Sequence, residues 1–175
     1  MSDLVTTFEQ NATAAAAVVW RCERNPLAVR TAVERAAQDA RSIVLSDVEF
    51  LAPPLLAGLR GLAGVIAKPD EEQLTTAEVG VTEAFAGVAS TGSICVAMGR
   101  PLAAVTSLLM PLHIALLPIE RIVERPRDLF DPECLKGEAL RRNLVFITGP
   151  SATADMGPLV LGVHGPHRLH ILLLE

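Results

Sequence analysis

Pro111-Leu112-His113-Ile114-Ala115-Leu116-Leu117-Pro118 lies within a longer stretch, Pro101 to Ile119, that carries no Asp, Glu, Lys or Arg. Two structures compete for such a stretch. A membrane span needs about 20 mostly apolar residues with few breaks, whereas a strand buried on both faces needs only a short apolar run. Pro101, Pro111 and Pro118, with Thr106, Ser107 and His113, interrupt the stretch, and lipid offers no partner to backbone groups freed at such breaks. It reads as buried in protein, with no membrane span. The same texture recurs outward from it, at Ile43 to Leu45, Val65 to Ala67, Val79 to Val81, Ile94 to Ala97, Leu144 to Ile147 and Leu169 to Leu174. Between these runs lie helical patterns at Pro54 to Leu62, Thr82 to Ala89, Ile119 to Val123 and Asp131 to about Arg142. Strands without a polar face, alternating with helices, predict an α/β domain with an open, mostly parallel sheet flanked by helices.

Residues 1–41 have a different texture. Leu4, Phe8, Ala12, Ala15 and Val19 recur at helical spacing, and Asn25-Pro26 then supplies a cap and first-turn proline for a second helix through Val29, Val33, Ala36 and Ala40. The expectation is an N-terminal helical segment, 1–41, packed on an α/β domain, 42–175. Two roles stay open for it: a cover over the sheet, or an interface, including one between copies of the chain.

At 175 residues the chain is long enough to bury its own core as one domain. Half of its residues are hydrophobic but only 3% are aromatic, so Ala, Leu and Val must build that core. The net charge is −5 and the Arg residues are interleaved with acids, at Arg21 to Arg24 and Glu120 to Arg127. No basic stripe is left to displace counterions, which argues against a nucleic-acid partner. Met1-Ser2-Asp3 does not open a secretory signal, so a cytoplasmic protein is expected. Cys22, Cys95 and Cys134 are scattered without a CxxC pair, so neither zinc nor an iron-sulfur cluster is expected and no cofactor is assigned.

Several chemical signatures fail on inspection. Gly87 to Gly92 has the glycine spacing of a P-loop, but Ser93-Ile94 stands where Lys and a hydroxyl residue are required. Gly149-Pro150-Ser151-Ala152-Thr153 resembles a nucleophile elbow except that Thr153 replaces its second glycine. There is no G-x-G-x-x-G.

Two polar loops remain. Thr91-Gly92-Ser93 follows a helical pattern and precedes an apolar run; it reads either as a phosphate or carboxylate cradle or as a helix C-cap turn. Leu144 to Ile147 runs into Thr148-Gly149-Pro150-Ser151-Ala152-Thr153-Ala154-Asp155. That places hydroxyls at a strand's C-terminal end, where open parallel sheets hold ligands; the bland alternative is a turn capped by Ser151 or Thr153. His164-Gly165-Pro166-His167-Arg168-Leu169-His170 is dense in histidine, but Gly165-Pro166 breaks any helix and no acid lies between the rings, so metal binding is not expected. It reads as a turn that carries His164 toward the sheet's ligand edge before a closing strand. His113 reads as a satisfied, partly buried imidazole and Cys95 as core. The candidate ligand-binding set is Thr91, Gly92, Ser93, Thr148, Gly149, Ser151, Thr153, Asp155, His164 and Gly165, converging on one edge of the sheet around a small anion. Asp155 either orients His164 or accepts from a ligand hydroxyl.

The blocks Val79-Gly80-Val81-Thr82, Val88-Ala89-Ser90-Thr91-Gly92-Ser93, Pro111-Leu112-His113-Ile114-Ala115, Ile147 to Asp155 and Leu161-Gly162-Val163-His164-Gly165-Pro166 resemble, in that order, those of the lactate-utilisation protein C (LutC/YkgG, LUD domain) family. The resemblance implies a fold similar to the ribose-phosphate isomerase and CoA-transferase group. It also implies a part in oxidation of L-lactate to pyruvate beside iron-sulfur and other redox subunits, here as the accessory subunit without redox centres. A free-standing enzyme or binding protein for a phosphorylated or CoA-linked metabolite is the alternative that the same fold allows. The chain departs from the family pattern at Phe85 and Ser90, where acidic residues are common, at Ala152, where Arg or another polar residue is common, and at Met156-Gly157-Pro158, where the family usually continues with Ile-Glu.

Overall fold

The computed structural model describes residues 2–38, 40–46, 52–98, 101–131, 134, 143–153, 160–161 and 165–175. In chain order the elements are α1 (Ser2–Ala14), β1 (Val18–Cys22), α2 (Pro26–Ala37), β2 (Ile43–Leu45), α3 (Pro53–Arg60), β3 (Val65–Ile66), α4 (Glu71–Thr76), β4 (Val79–Glu83), β5 (Ala86–Val88), β6 (Ser93–Ala97), α5 (Pro101–Leu108), β7 (Leu112–Pro118), β8 (Ile122–Val123), β9 (Leu144–Ile147), β10 (Ala152–Thr153), β11 (Val160–Leu161) and β12 (Arg168–Leu174). Six strands form an all-parallel sheet in the order β1-β12-β7-β4-β2-β3. A second, mixed sheet has the order β8-β5-β6-β9, and β10 pairs with β11 as a short antiparallel ribbon. The open parallel sheet between helices is the α/β class predicted from the apolar runs.

Side chains alternate across a strand, so the central strands feed two cores. Leu112, Ile114, Leu116, Leu172 and Leu174 face α2 and α3, where Val29, Val33, Leu55 and Leu59 are buried. Ala115, Leu117, Leu169, Ile171 and Leu173 face the other way, onto Val5, Phe8 and Ala12 of α1 and onto the second sheet. On this second face α5 lies against β4 at Gly80, where a Cβ would overlap the Thr106 carbonyl. A glycine there brings helix and strand backbones close together.

Three local expectations change. The first helix ends at Ala14, and Val18–Cys22 is an edge strand paired with β12. Val19 belongs to the helical stripe that the sequence suggests, but its pairing with Ile171 of β12 fixes it in the sheet. The pattern at Thr82 to Ala89 is not a helix: β4 continues to Glu83, and after Ala84 the chain passes into β5 of the second sheet. Every residue from Val79 to Ala89 is buried, so the run has no solvent face to give a helix its period. Ile119 to Val123 is a single 3-10 turn followed by β8. The helix expected from Asp131 to about Arg142 falls mostly outside the described residues. Among elements not foreseen, α4 is closed by a capping box in which Asp70 accepts from the Gln73 amide and the Gln73 side chain accepts from the Asp70 amide.

Candidate functional site

β9 ends at Ile147, and Thr148-Gly149-Pro150-Ser151 then turns back along the second face of the parallel sheet. The preceding strand is antiparallel to β6 and belongs to the mixed sheet. The loop therefore meets the parallel sheet at its amino edge, opposite the edge expected when β9 was read as one of the parallel strands. Ser151 N–H donates to the Pro166 carbonyl at 2.9 Å, and His167 N–H donates to the Pro111 carbonyl at 2.8 Å. These bonds tie the loop to the starts of β12 and β7.

A cavity of about 250 Å³ opens there, lined by the Thr148-to-Ser151 loop, Val145 to Ile147, Gly165-Pro166, Ser107-Leu108, His113 and Leu169. A Cβ on Gly165 would stand 3.1 Å from Ser151 Cβ, so the two turns approach closely. The Ser107 hydroxyl donates to the Ala103 carbonyl at 2.6 Å, which leaves its oxygen free to accept. Among the described residues that line it, none is Asp, Glu, Lys or Arg.

His113 is among the residues that line the cavity. It sits between Gly80 of β4 and Leu169 of β12 in the sheet register. The ring is fully buried, and burial depresses its pKa from 6.5 to about 3, so it is neutral. Its Nε2 is 2.7 Å from the Thr82 hydroxyl, while Nδ1 has no hydrogen-bond partner among the described residues. The expectation of a satisfied, partly buried imidazole is corrected on both points. Cys95 is core as expected, and burial pushes its thiol up to about 12.

The predicted loops are joined, though not all of their residues reach the cavity. The Ser93 and Thr148 hydroxyls share a 2.6 Å hydrogen bond and the Thr91 and Ser93 hydroxyls one of 2.7 Å, so three hydroxyls form a chain between the loops. Thr148, Gly149, Ser151 and Gly165 line the cavity; Thr91, Gly92, Ser93 and Thr153 do not. Thr153 is instead paired in β10. Asp155 and His164 lie outside the described residues.

Both loop glycines answer to α1. Gly92 has φ +65 and Gly149 φ +70, and a Cβ would overlap the Ala12 amide at the first and the Ala15 carbonyl at the second. Their close approach is to a helix end, which accounts for both glycines without a phosphate.

A second cavity, of about 340 Å³, lies at the carboxyl edge, among Arg24 beyond β1, Phe85-Ala86 beyond β4, and Glu120-Arg121 beyond β7, with Val123, Leu129 and Cys134. Arg24 is ion-paired with Glu120. Arg121 donates to the Phe85 carbonyl at 3.2 Å and lies over the Phe85 ring. In the sequence these charges read only as Arg residues interleaved with acids. Among the described residues no three His, Cys, Asp or Glu side chains are grouped to hold a metal ion, and no helix is long and apolar enough to cross a membrane.

Comparison with known proteins adds sequence and fold relationships. A crystal structure of a DUF162 family protein from Deinococcus radiodurans superimposes with a TM-score of 0.74 at 19% identity, covering 99% of this chain and 98% of that one, and so shares the fold. Lactate utilization protein C of Halalkalibacterium halodurans is 34% identical over 108 residues, which are 59% of this chain and 47% of the relative. The protein of that name from Bacillus subtilis is 31% identical over 116 residues, 62% of this chain and 48% of the relative. The chain thus spans about half the length of the curated relatives it matches. The LUD domain model matches residues 64–174, a span that holds the second polar loop, the buried histidine and the closing strand, and by that match the chain belongs to the LUD domain family.

Proposed function

We propose that this chain works in lactate utilisation as a subunit without a redox centre of its own, and that it holds a small polar ligand in the cavity between Thr148 to Ser151 and Gly165. The relatives' names support the process. The observation that carries the ligand reading is the cavity, where hydroxyls from Ser107, Thr148 and Ser151 meet a buried imidazole in apolar walls. Few, well-placed polar groups in an apolar recess are what orient a small molecule. With no Lys or Arg among the described lining residues, an anionic group on the ligand would be held at the mouth by backbone N–H groups and hydroxyls. Electrons would pass through partner subunits, iron-sulfur proteins among them, beside which this chain would bind or present the small molecule.

The second reading, an enzyme or binding protein for a phosphorylated or CoA-linked metabolite, is favoured by one observation, the cavity beside Arg24 and Arg121. Carboxyl edges are where open α/β sheets usually hold ligands, and guanidinium groups suit phosphate. Thermal-shift titrations with L-lactate, pyruvate, sugar phosphates and CoA esters separate the two. The first reading expects stabilisation by lactate or pyruvate, about 2.7 kcal/mol at a hundredfold excess over Kd. Stabilisation by sugar phosphates or CoA esters alone, lost in Arg24→Ala, would favour the second.

A further inference from the structure

His113 is a buried polar group with half of its hydrogen-bonding capacity unused. A neutral imidazole has one donor nitrogen and one acceptor nitrogen. Here Nε2 is engaged by the Thr82 hydroxyl, and Nδ1 is buried without a partner among the described residues. Buried polar atoms in native proteins almost always have a protein, water or ligand partner. His113 is one of the residues lining the 250 Å³ cavity, whose other polar contributors come from two further segments, Ser107 from α5 and Thr148 and Ser151 from the loop after β9.

We propose that His113 Nδ1 is the innermost contact for the cavity's occupant, and that this occupant is a metabolite-sized molecule presenting an uncharged oxygen, a hydroxyl or a carbonyl, to the ring. The inference rests on the ligand-site reading of the same cavity. The uncharged inner end follows from the lining: among the described residues that line it none is Asp, Glu, Lys or Arg, and an ion buried without a countercharge is costly. The size follows from the volume, which is below the roughly 300 Å³ at which cavities for drug-sized ligands begin. Thr82 fixes what Nδ1 can do. When the Thr82 hydroxyl donates to Nε2, Nδ1 carries the proton and donates to a carbonyl or hydroxyl oxygen. When Thr82 accepts from Nε2–H, Nδ1 accepts from a hydroxyl only.

The test uses the full chain with isotope-labelled histidine nitrogens and backbone amides, titrated with L-lactate and separately with pyruvate while NMR follows both sets of signals. His113→Gln keeps a polar atom for Thr82 and removes the one at Nδ1; His113→Asn does the reverse. The expected result is that at least one probe moves the His113 ring nitrogens together with the Thr148 and Ser151 amides. His113→Gln then weakens binding about tenfold, and His113→Asn weakens it less. Binding by lactate but not pyruvate assigns Nδ1 as the acceptor. If the amides move while the ring nitrogens do not, the cavity binds a ligand and the role of His113 is overturned. If neither set moves with either probe, the ligand-site reading falls and takes this inference with it. The wild-type ring signals decide the question even where a variant is unstable.

Discussion

Gly80 and Leu169 flank His113 in the sheet, so neither neighbouring side chain can offer its ring a hydrogen bond, and among the described residues Thr82 supplies the one bond the ring makes. An imidazole so enclosed resists protonation, with a pKa depressed by burial from 6.5 to about 3. Across the interval between those values the unfolded chain takes up a proton at this ring that the folded chain refuses. The contribution to stability is therefore fully present above about pH 6.5 and is lost as pH falls below it, by at most about 1.4 kcal/mol per pH unit. His170, depressed by burial and by Arg168, acts in the same direction. Urea unfolding of wild type and His113→Gln isolates the first ring: between about pH 7 and pH 5 wild type should lose about 2 kcal/mol more than the variant. Equal losses would mean that the folded protein does not hold His113 neutral. Sequence alone showed a histidine entering an apolar run. It did not show the glycine beside it or the helix crossing there, which make the burial complete.

Among the elements, α1 and the two polar loops interlock. Gly92 lies against Asn11 and Ala12, Gly149 against Ala15, and the Asn11 side chain donates to the Ala89 carbonyl at 2.8 Å. Gly149→Ala would combine a strained positive φ with backbone overlap, so a loss of about 2 kcal/mol or more is expected in denaturant unfolding. A change below about 0.5 kcal/mol, the range of ordinary surface substitutions, would show that α1 does not hold the loop. The seven apolar runs read from the sequence all contain strands because burial on both faces leaves a compositional mark. The missed strands left none that could be separated from a helix. Val18–Cys22 follows a real helix without a proline or glycine between them, and Ala86–Val88 lies within eleven consecutive buried residues, 79–89. Sheet membership was equally hidden. Leu144–Ile147 has the composition of a parallel strand but pairs antiparallel with β6, and that pairing moves the following loop to the opposite edge of the large sheet.

At the scale of the molecule, cavities lie at opposite edges of one sheet: at the amino edge one around His113, whose described lining residues include no Asp, Glu, Lys or Arg, and at the carboxyl edge a charged one around Arg24 and Arg121. The fold class was legible because it depends on repeated runs. Part of the candidate site was legible too: turn chemistry singles out Thr148, Gly149, Ser151 and Gly165 in the sequence, and these four line one cavity. It does not single out Ser107 and His113, because their place in the lining depends on how α5 crosses β4. We propose that the amino-edge cavity holds a small molecule of lactate metabolism. A crystal structure of the full chain soaked with L-lactate or pyruvate tests it most directly. The predicted result is ligand density between Thr148 to Ser151 and Gly165, with an uncharged oxygen in hydrogen-bond reach of His113 Nδ1; density beside Arg24 and Arg121 instead, or at neither cavity, would contradict it.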